Sequence, residues 1–205
     1  DIRGIVDKNI TENTAYTIGR VFGYIVSEQL NSNNISLGYD GRLTSPKLYK
    51  ALSTGLKDSG AKVKSVGMCP TPMLYFADYY LNTDAAIMIT GSHNPSEYNG
   101  FKMVMNKHSF FSANIQKFKT ILKTIKLEKK EGSVEHIDII DAYVERVLKN
   151  ISIKNKLKIS WDIGNGAMGV IINKLISKLK NTENILLNQD VDGNFPNHHP
   201  DPTVP

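Results

Sequence analysis

Residues 85–89, Ala-Ala-Ile-Met-Ile, form an unbroken apolar run that passes at once into Thr90-Gly91-Ser92-His93-Asn94-Pro95. A run with no polar alternation reads as a strand covered on both faces, as in the middle of a sheet flanked by helices. The residues that follow break strands and form turns. In open α/β sheets ligands bind beyond the carboxyl ends of the strands. Ser92 is therefore expected at the end of a central strand, where such a fold does its chemistry. Gly91 allows the backbone a tight turn beside it.

The flanking sequence alternates between the two periods that an α/β fold requires. Residues 12–30 repeat apolar positions at Ile18, Phe22, Ile25 and Leu30, behind Thr11 as a candidate N-cap, and predict a helix. A strand is expected over 35–39, followed by the turn Asp40-Gly41-Arg42. Ser45 before Pro46 reads as an N-cap with proline in the first turn, and Leu48, Leu52 and Leu56 give that helix its buried stripe. A strand over 63–68 leads to Cys69-Pro70-Thr71-Pro72, which starts a helix through about Tyr80. After the serine turn, 101–105 reads as a strand carrying Lys102. Ser112 then caps a helix whose apolar face is Ile115, Phe118, Leu122 and Ile125. The polar stretch 126–133 is expected to link two domains, 1–133 and 134–205. In the second, residues 138–150 form a helix with stripe Ile140, Val144, Val147 and Ile151. A strand follows over 157–163, then Gly164-Asn165-Gly166-Ala167-Met168-Gly169, then a strand over 185–187. The fold class is α/β with right-handed crossovers.

The 205 residues are 40% hydrophobic and 22% charged, which allows a sizeable core. The net charge of +5 comes from scattered lysines without interleaved aromatics. Such a pattern argues against nucleic acid and suits an anionic small substrate. Cys69 is the sole cysteine, so no disulfide within the chain and no multi-cysteine metal site is available, in keeping with a cytoplasmic setting. No apolar run is long enough to span a membrane.

The string Thr90 to Lys102, including Tyr98-Asn99-Gly100-Phe101, resembles the active-site serine loop of the α-D-phosphohexomutases, the phosphomannomutase/phosphoglucomutase family. Asp1-Ile2-Arg3-Gly4, Asp40-Gly41-Arg42 and Pro70-Thr71-Pro72 resemble the same family in the same order. So do Asp162-Ile163-Gly164-Asn165-Gly166 and the run from Asp192 through His198-His199-Pro200-Asp201-Pro202. The resemblance implies a three-layer α/β/α domain with a mixed sheet, followed by an incomplete second α/β domain. It implies that Ser92 carries a phosphoryl group and exchanges it with a phosphosugar, interconverting hexose 1- and 6-phosphates through a bisphosphate. It brings Arg3 and Lys102 to the transferring group and gives His93 a hydrogen-bonding role there. Thr90, Gly91, Asn94 and Arg42 support the loop. The cofactors it implies are Mg²⁺, held in part by the phosphate on Ser92, and a hexose 1,6-bisphosphate activator.

Departures from the family's pattern bear on activity. The Asp-Gly-Asp-Gly-Asp metal loop, the sugar loop and the carboxy-terminal phosphate loop have no counterpart in this sequence. The chain is thus expected to correspond to an amino-terminal portion with little turnover alone, the missing parts being supplied, if at all, by another chain. Two readings stay open beside this one. Gly164 to Gly169 matches the G-x-G-x-x-G of dinucleotide-binding oxidoreductases, with Asp190 in the place of the acidic ribose ligand. The chain is also consistent with a non-catalytic remnant. Without the resemblance, Arg3 reads as a surface ion pair, Arg42 as the partner of Asp40, and His198 and His199 as solvated loop residues.

Overall fold

The computed structural model describes residues 2–201 and 203. Asp1 and Pro202, which belong to the motifs above, lie outside the described residues. One seven-stranded mixed sheet organises the first part, in the order β1-β5-β4-β2-β3-β7 with β6 added on β5. The strands are β1 (Ile2–Ile5), β2 (Asn34–Tyr39), β3 (Lys62–Met68), β4 (Ala85–Ile89), β5 (Tyr98–Met105), β6 (His108–Phe110) and β7 (Ser133–His136). β4, β2, β3 and β7 run parallel, while β5 is antiparallel to β4, β1 and β6.

The helices cover both faces of that sheet. On one face α1 (Glu12–Leu30) and α2 (Ser45–Asp58) bury Ile18, Phe22, Ile25, Leu48, Leu52 and Leu56 against Ile35, Ile87, Ile89, Phe101 and Met103. α1 begins where Thr11 and Thr14 exchange side-chain and backbone hydrogen bonds, and it ends at Asn31 in the left-handed conformation. On the other face α3 (Thr71–Tyr80) buries Met73, Leu74 and Ala77 against Ala86, Met88 and Val104. All five residues of β4 are buried, as an unbroken apolar run requires.

Several local expectations change. Ser45 is the first residue of α2 rather than its N-cap; Thr44 holds that position. The Ser45 hydroxyl is engaged elsewhere, donating to Asp40 Oδ1 at 2.6 Å. Ser112 stands at the N-cap of α4 (Ala113–Thr124) without a capping hydrogen bond from its side chain. The inward face of α4 is Ile115, Phe118 and Ile121, whereas Leu122 and Ile125 are exposed. The stretch 126–132 is strapped to α1, since Arg20 Nη2 donates to the carbonyls of Leu127 and Glu128 at 2.7 Å each. Ser133–His136 then adds an edge strand to the sheet, which sequence reading did not anticipate.

The second part holds α5 (Ile140–Leu148) and a parallel pair, β8 (Leu157–Asp162) and β9 (Thr182–Leu187), connected through α6 (Ile172–Ser177). Val144 is the buried residue of α5, and Ile151 is exposed. Ile139, Tyr143, Met168 and Ile171 pack on the α3 side of the first part, continuous with Cys69, Met73 and Met88. The two parts thereby enclose a cleft.

Candidate active site

Sheet topology places the site. β2 lies between β3 and β4; α2, which joins β2 to β3, packs on one face of the sheet, and α3, which joins β3 to β4 across β2, packs on the other. The carboxyl ends of β2 and β4 flank the resulting crevice, the position at which open α/β sheets bind ligands. Asp40-Gly41-Arg42 follows β2 and Thr90-Gly91-Ser92 follows β4. Both line a cleft of about 830 Å³ whose opposite wall is the second part, from Asp162 to Met168 and from His198 to Asp201. Pro70 and Thr71, at the start of α3, close its floor with Cys69.

Ser92 is half-buried with φ +56°. A non-glycine residue in the left-handed region costs on the order of 1–3 kcal/mol and persists only where its surroundings over-determine it. Here they do. The Ser92 amide donates to Thr90 Oγ1 at 2.9 Å, and the Asn94 amide donates to the Gly91 carbonyl at 3.1 Å. The Gly91 amide donates to Asp40 Oδ2 at 3.2 Å.

The strongest restraint is Arg42, 1% exposed. Its Nη2 donates to the carbonyls of Ser92 at 2.9 Å and Asn94 at 2.6 Å, and its Nη1 to those of Pro95 and Tyr98. Its Nε donates to Asp40 Oδ2 at 3.2 Å. The planar guanidinium fork is the side chain able to satisfy so many fixed acceptors at once. Burial lowers the Arg42 pKa while Asp40 raises it, and the group stays charged. A Cβ on Gly91 would lie 2.4 Å from Arg42 Nε, so glycine is required for this approach. The ion pair with Asp40 and the support of the serine loop are thus one arrangement. Asp40 is in turn held by Ser45, and the Asn99 amide donates to Thr44 Oγ1 at 2.9 Å and Ser45 Oγ at 3.0 Å. Sequence reading gave Asn99 and Ser45 no part in the site, although both lie within or beside the motifs singled out.

Register explains the neighbouring cations. Arg3 pairs with Gly100 across β1 and β5, and Lys102 is two residues further along β5. Side chains at those positions leave the same face. Phe101 and Met103, which alternate with them along β5, face the α1 and α2 core. Arg3 Nη1 donates to Asn94 Oδ1 at 3.1 Å and so reaches the serine loop. Burial, and then the positive charge of Arg3, lower the Lys102 pKa. His93 is exposed on the same turn. Thr90 and Ser92 face the cleft directly, whereas Arg3, Lys102, His93 and Asn94 are not on its wall.

The Cys69 thiol is fully buried and pushed up to about 12 by that burial, which makes it inert at neutral pH. Among the described residues no three His, Cys, Asp or Glu side chains cluster as a metal site. Asp40, a carboxylate of the cleft beside the serine loop, is already committed to Arg42, Ser45 and the Gly91 amide. The described residues therefore do not fit a resident Mg²⁺.

Residues 164–168 of the glycine-rich turn form part of the wall opposite Ser92. Its third glycine opens no long helix: residues 167–170 make a single 3₁₀ turn, and the Gly169 amide donates to the Gly166 carbonyl. A dinucleotide site needs free amides at a helix start for the pyrophosphate, and this turn lacks that arrangement.

Across the same wall, His198 Nε2 and Asp162 Oδ2 lie 3.0 Å apart, and His198 Nδ1 bonds the His199 carbonyl at 2.9 Å. The His199 carbonyl first, and Asp162 second, raise the His198 pKa. Asn188, then the Gly164 amide, then His198 lower that of Asp162. The histidine's contribution is full below about pH 6.5 and is lost as pH rises through its raised value. The carboxylate's is full above about pH 4 and is lost as pH falls through its depressed value. The bridge is thus complete between about pH 4 and 6.5. An NMR titration is expected to place the His198 midpoint above that of a free histidine, and Asp162→Asn to lower it. A midpoint indifferent to that substitution would remove the bridge from the account.

Among the described residues no helix is long and apolar enough to cross a membrane. A family model described as "Phosphoglucomutase/phosphomannomutase, alpha/beta/alpha domain I" matches residues 1–129, and one for domain II of the same family matches residues 141–205. A Pseudomonas syringae pv. tomato protein named phosphomannomutase/phosphoglucomutase is 46% identical over 204 residues, covering 98% of this chain and 43% of the relative. A Neisseria gonorrhoeae phosphoglucomutase is 44% identical over 207 residues, covering 100% of this chain and 45% of the relative. A crystal structure of a phosphoglucomutase/phosphomannomutase family protein from Burkholderia thailandensis superposes with TM-score 0.90 at 40% identity, over 98% of this chain and 45% of that one. The chain spans less than half the length of these relatives.

Proposed function

We propose that this chain, which belongs to the phosphoglucomutase/phosphomannomutase family, carries the phosphoryl-accepting centre of a phosphohexomutase, with Ser92 as acceptor and a hexose phosphate as substrate. The observation that carries the reading is the Ser92 backbone, held left-handed at the switch point of the sheet by Thr90 and the buried Arg42 fork, with its side chain facing the cleft.

The reaction balances without an oxidant or reductant. Ser92 Oγ attacks a phosphorus of a hexose 1,6-bisphosphate, the Oγ–P bond forms and the bond from phosphorus to the sugar oxygen breaks. The serine proton ends on that sugar oxygen. Transfer back to the free hydroxyl of a hexose 1-phosphate regenerates the bisphosphate, and donation of its other phosphate leaves hexose 6-phosphate. Such a step has a loose transition state, so catalysis rests on positioning and charge neutralisation. Arg3 and Lys102, on one face beside the loop, would supply fixed positive charge to the phosphoryl oxygens. His93 would donate a hydrogen bond to them. Mg²⁺ would find one ligand here, the phosphate on Ser92.

No described residue is assigned a part in choosing the sugar, and the chain by itself is expected to turn over slowly. A cytoplasmic setting suits the buried Cys69. Incubation with glucose 1,6-bisphosphate and Mg²⁺ is expected to add one phosphate to the intact mass, while NADH fluorescence stays unchanged on titration with the chain. No added phosphate, or saturable NADH binding, would overturn the reading.

A further inference from the structure

The run from Asp190 to Pro200 has no part in the reaction above, yet it is fastened at both ends of the cleft. On one side it is tied to the glycine-rich turn through the buried Asn165. The Asn165 side-chain amide donates to the Asp190 carbonyl at 2.9 Å, the Asp192 amide donates to the Asn165 carbonyl at 3.0 Å, and the Asn197 side-chain amide donates to Asn165 Oδ1 at 2.9 Å. On the other side it presses on the turn that carries Arg42. A Cβ on Gly41 would lie 2.2 Å from Val191 Cγ1, and one on Gly193 would lie 2.5 Å from the Leu43 nitrogen. Two glycines facing each other's segments permit this approach, and no larger residue fits at either without displacement.

Between those contacts stands Phe195. Its φ is +52°, an uncommon conformation for a bulky side chain, and its ring lies 5.2 Å from the Arg42 guanidinium carbon. The strained backbone aims the aromatic face at the cation. The guanidinium is the same one whose two Nη atoms hold the carbonyls of Ser92, Asn94, Pro95 and Tyr98. The ring thus stands against a cation whose donors are already committed.

We propose that Phe195 is a positioning residue for the serine loop: its ring fixes the plane of the Arg42 fork, so that seating of the second α/β unit sets the geometry in which Ser92 accepts phosphate. The chemical half of this inference rests on the reading of Ser92 as a phosphoryl acceptor; the mechanical half does not. A neighbour that merely packed would be replaceable by any apolar side chain of similar bulk. A ring that orients a planar cation is replaceable only by another aromatic.

The test compares the wild-type chain with Phe195→Leu and Phe195→Tyr, by amide hydrogen exchange and by the rate of phosphate incorporation from glucose 1,6-bisphosphate. Phe195→Leu is expected to speed exchange of the Ser92 and Asn94 amides about tenfold, the scale of one desolvated cation–π contact. The Leu37 amide in β2 should be unchanged, and incorporation should slow in proportion. Phe195→Tyr should restore both. The proposal is overturned if the leucine variant exchanges Ser92 and Asn94 at the wild-type rate, or if Leu37 loosens equally. Should the wild-type chain take up no phosphate, the acceptor reading fails, while the exchange rates still decide whether Phe195 positions the loop.

Discussion

Arg42→Ala is expected to destabilise the chain by about 3 kcal/mol, the lower end of what removal of one partner from a buried ion pair costs. For a chain of this size that corresponds to a fall in Tm of roughly 6–12 °C. The cost has a specific origin. Asp40 loses the cation that faces it, and the carbonyls of Ser92, Asn94, Pro95 and Tyr98 lose their common donor. Asp40 keeps the Ser45 hydroxyl and the Gly91 amide, which is why the lower end applies. Arg42→Lys should recover little, because one ammonium with three donors cannot reach four carbonyls and Asp40 at once. Thermal unfolding with exchange at residues 91–98 checks this. A Tm within about 2 °C of wild type would show that the fork is not what holds the loop.

The second large effect concerns rate. Lys102→Met keeps the aliphatic stem and removes the charge beside the serine loop. The structure brings two cations together there: burial and Arg3 together lower the Lys102 pKa. Phosphate arriving at Ser92 relieves that repulsion, so the ammonium favours the transferred group more than the empty loop. Loss of one such preorganised group typically costs about 10²–10³ in rate. The initial rate of phosphate incorporation should fall by that order with Tm little changed, since Lys102 is half-exposed. A rate within about threefold of wild type would remove Lys102 from the phosphoryl site.

Much of this is legible in the amino-acid sequence. The helix over 12–30 has its bounds as read, because a good cap and a 3.6-residue stripe coincide. The strand over 85–89 and the turn after it also stand as read, since an unbroken apolar run ending in Thr-Gly-Ser has few alternatives in an α/β chain. What the sequence hid was local chemistry without the usual residues. The hairpin between β5 and β6 turns at Asn106 and Lys107, with φ of +50° and +63°. Both positions are left-handed, as in type I′ turns, but the familiar glycine is replaced by lysine. β7 is four exposed residues that carry no apolar alternation to announce a strand. On α4 Ile115 and Phe118 turn inward as expected, but Ile121, and not Leu122, completes that face.

The site was legible in its parts and hidden in its wiring. Ser92 and Thr90 come together at the cleft, and Arg3 joins the loop through Asn94. Arg42 could be read as a partner of Asp40 or as a support of the loop; the alternatives dissolve because a buried guanidinium has donors enough for both. Phe195 carried no signal of its own. A phenylalanine between asparagine and proline reads as part of a loop, and only its left-handed backbone and the cation beneath its ring give it a role.

The account turns on one claim, that the serine loop stands assembled to take a phosphoryl group on Ser92. Its most direct test is intact mass and tandem mass localisation after exposure to glucose 1,6-bisphosphate and Mg²⁺, beside a Ser92→Ala control. The prediction is a single added phosphate, carried on Ser92 and lost in the control. Phosphate retained by the Ser92→Ala chain, or absent from both, would contradict it.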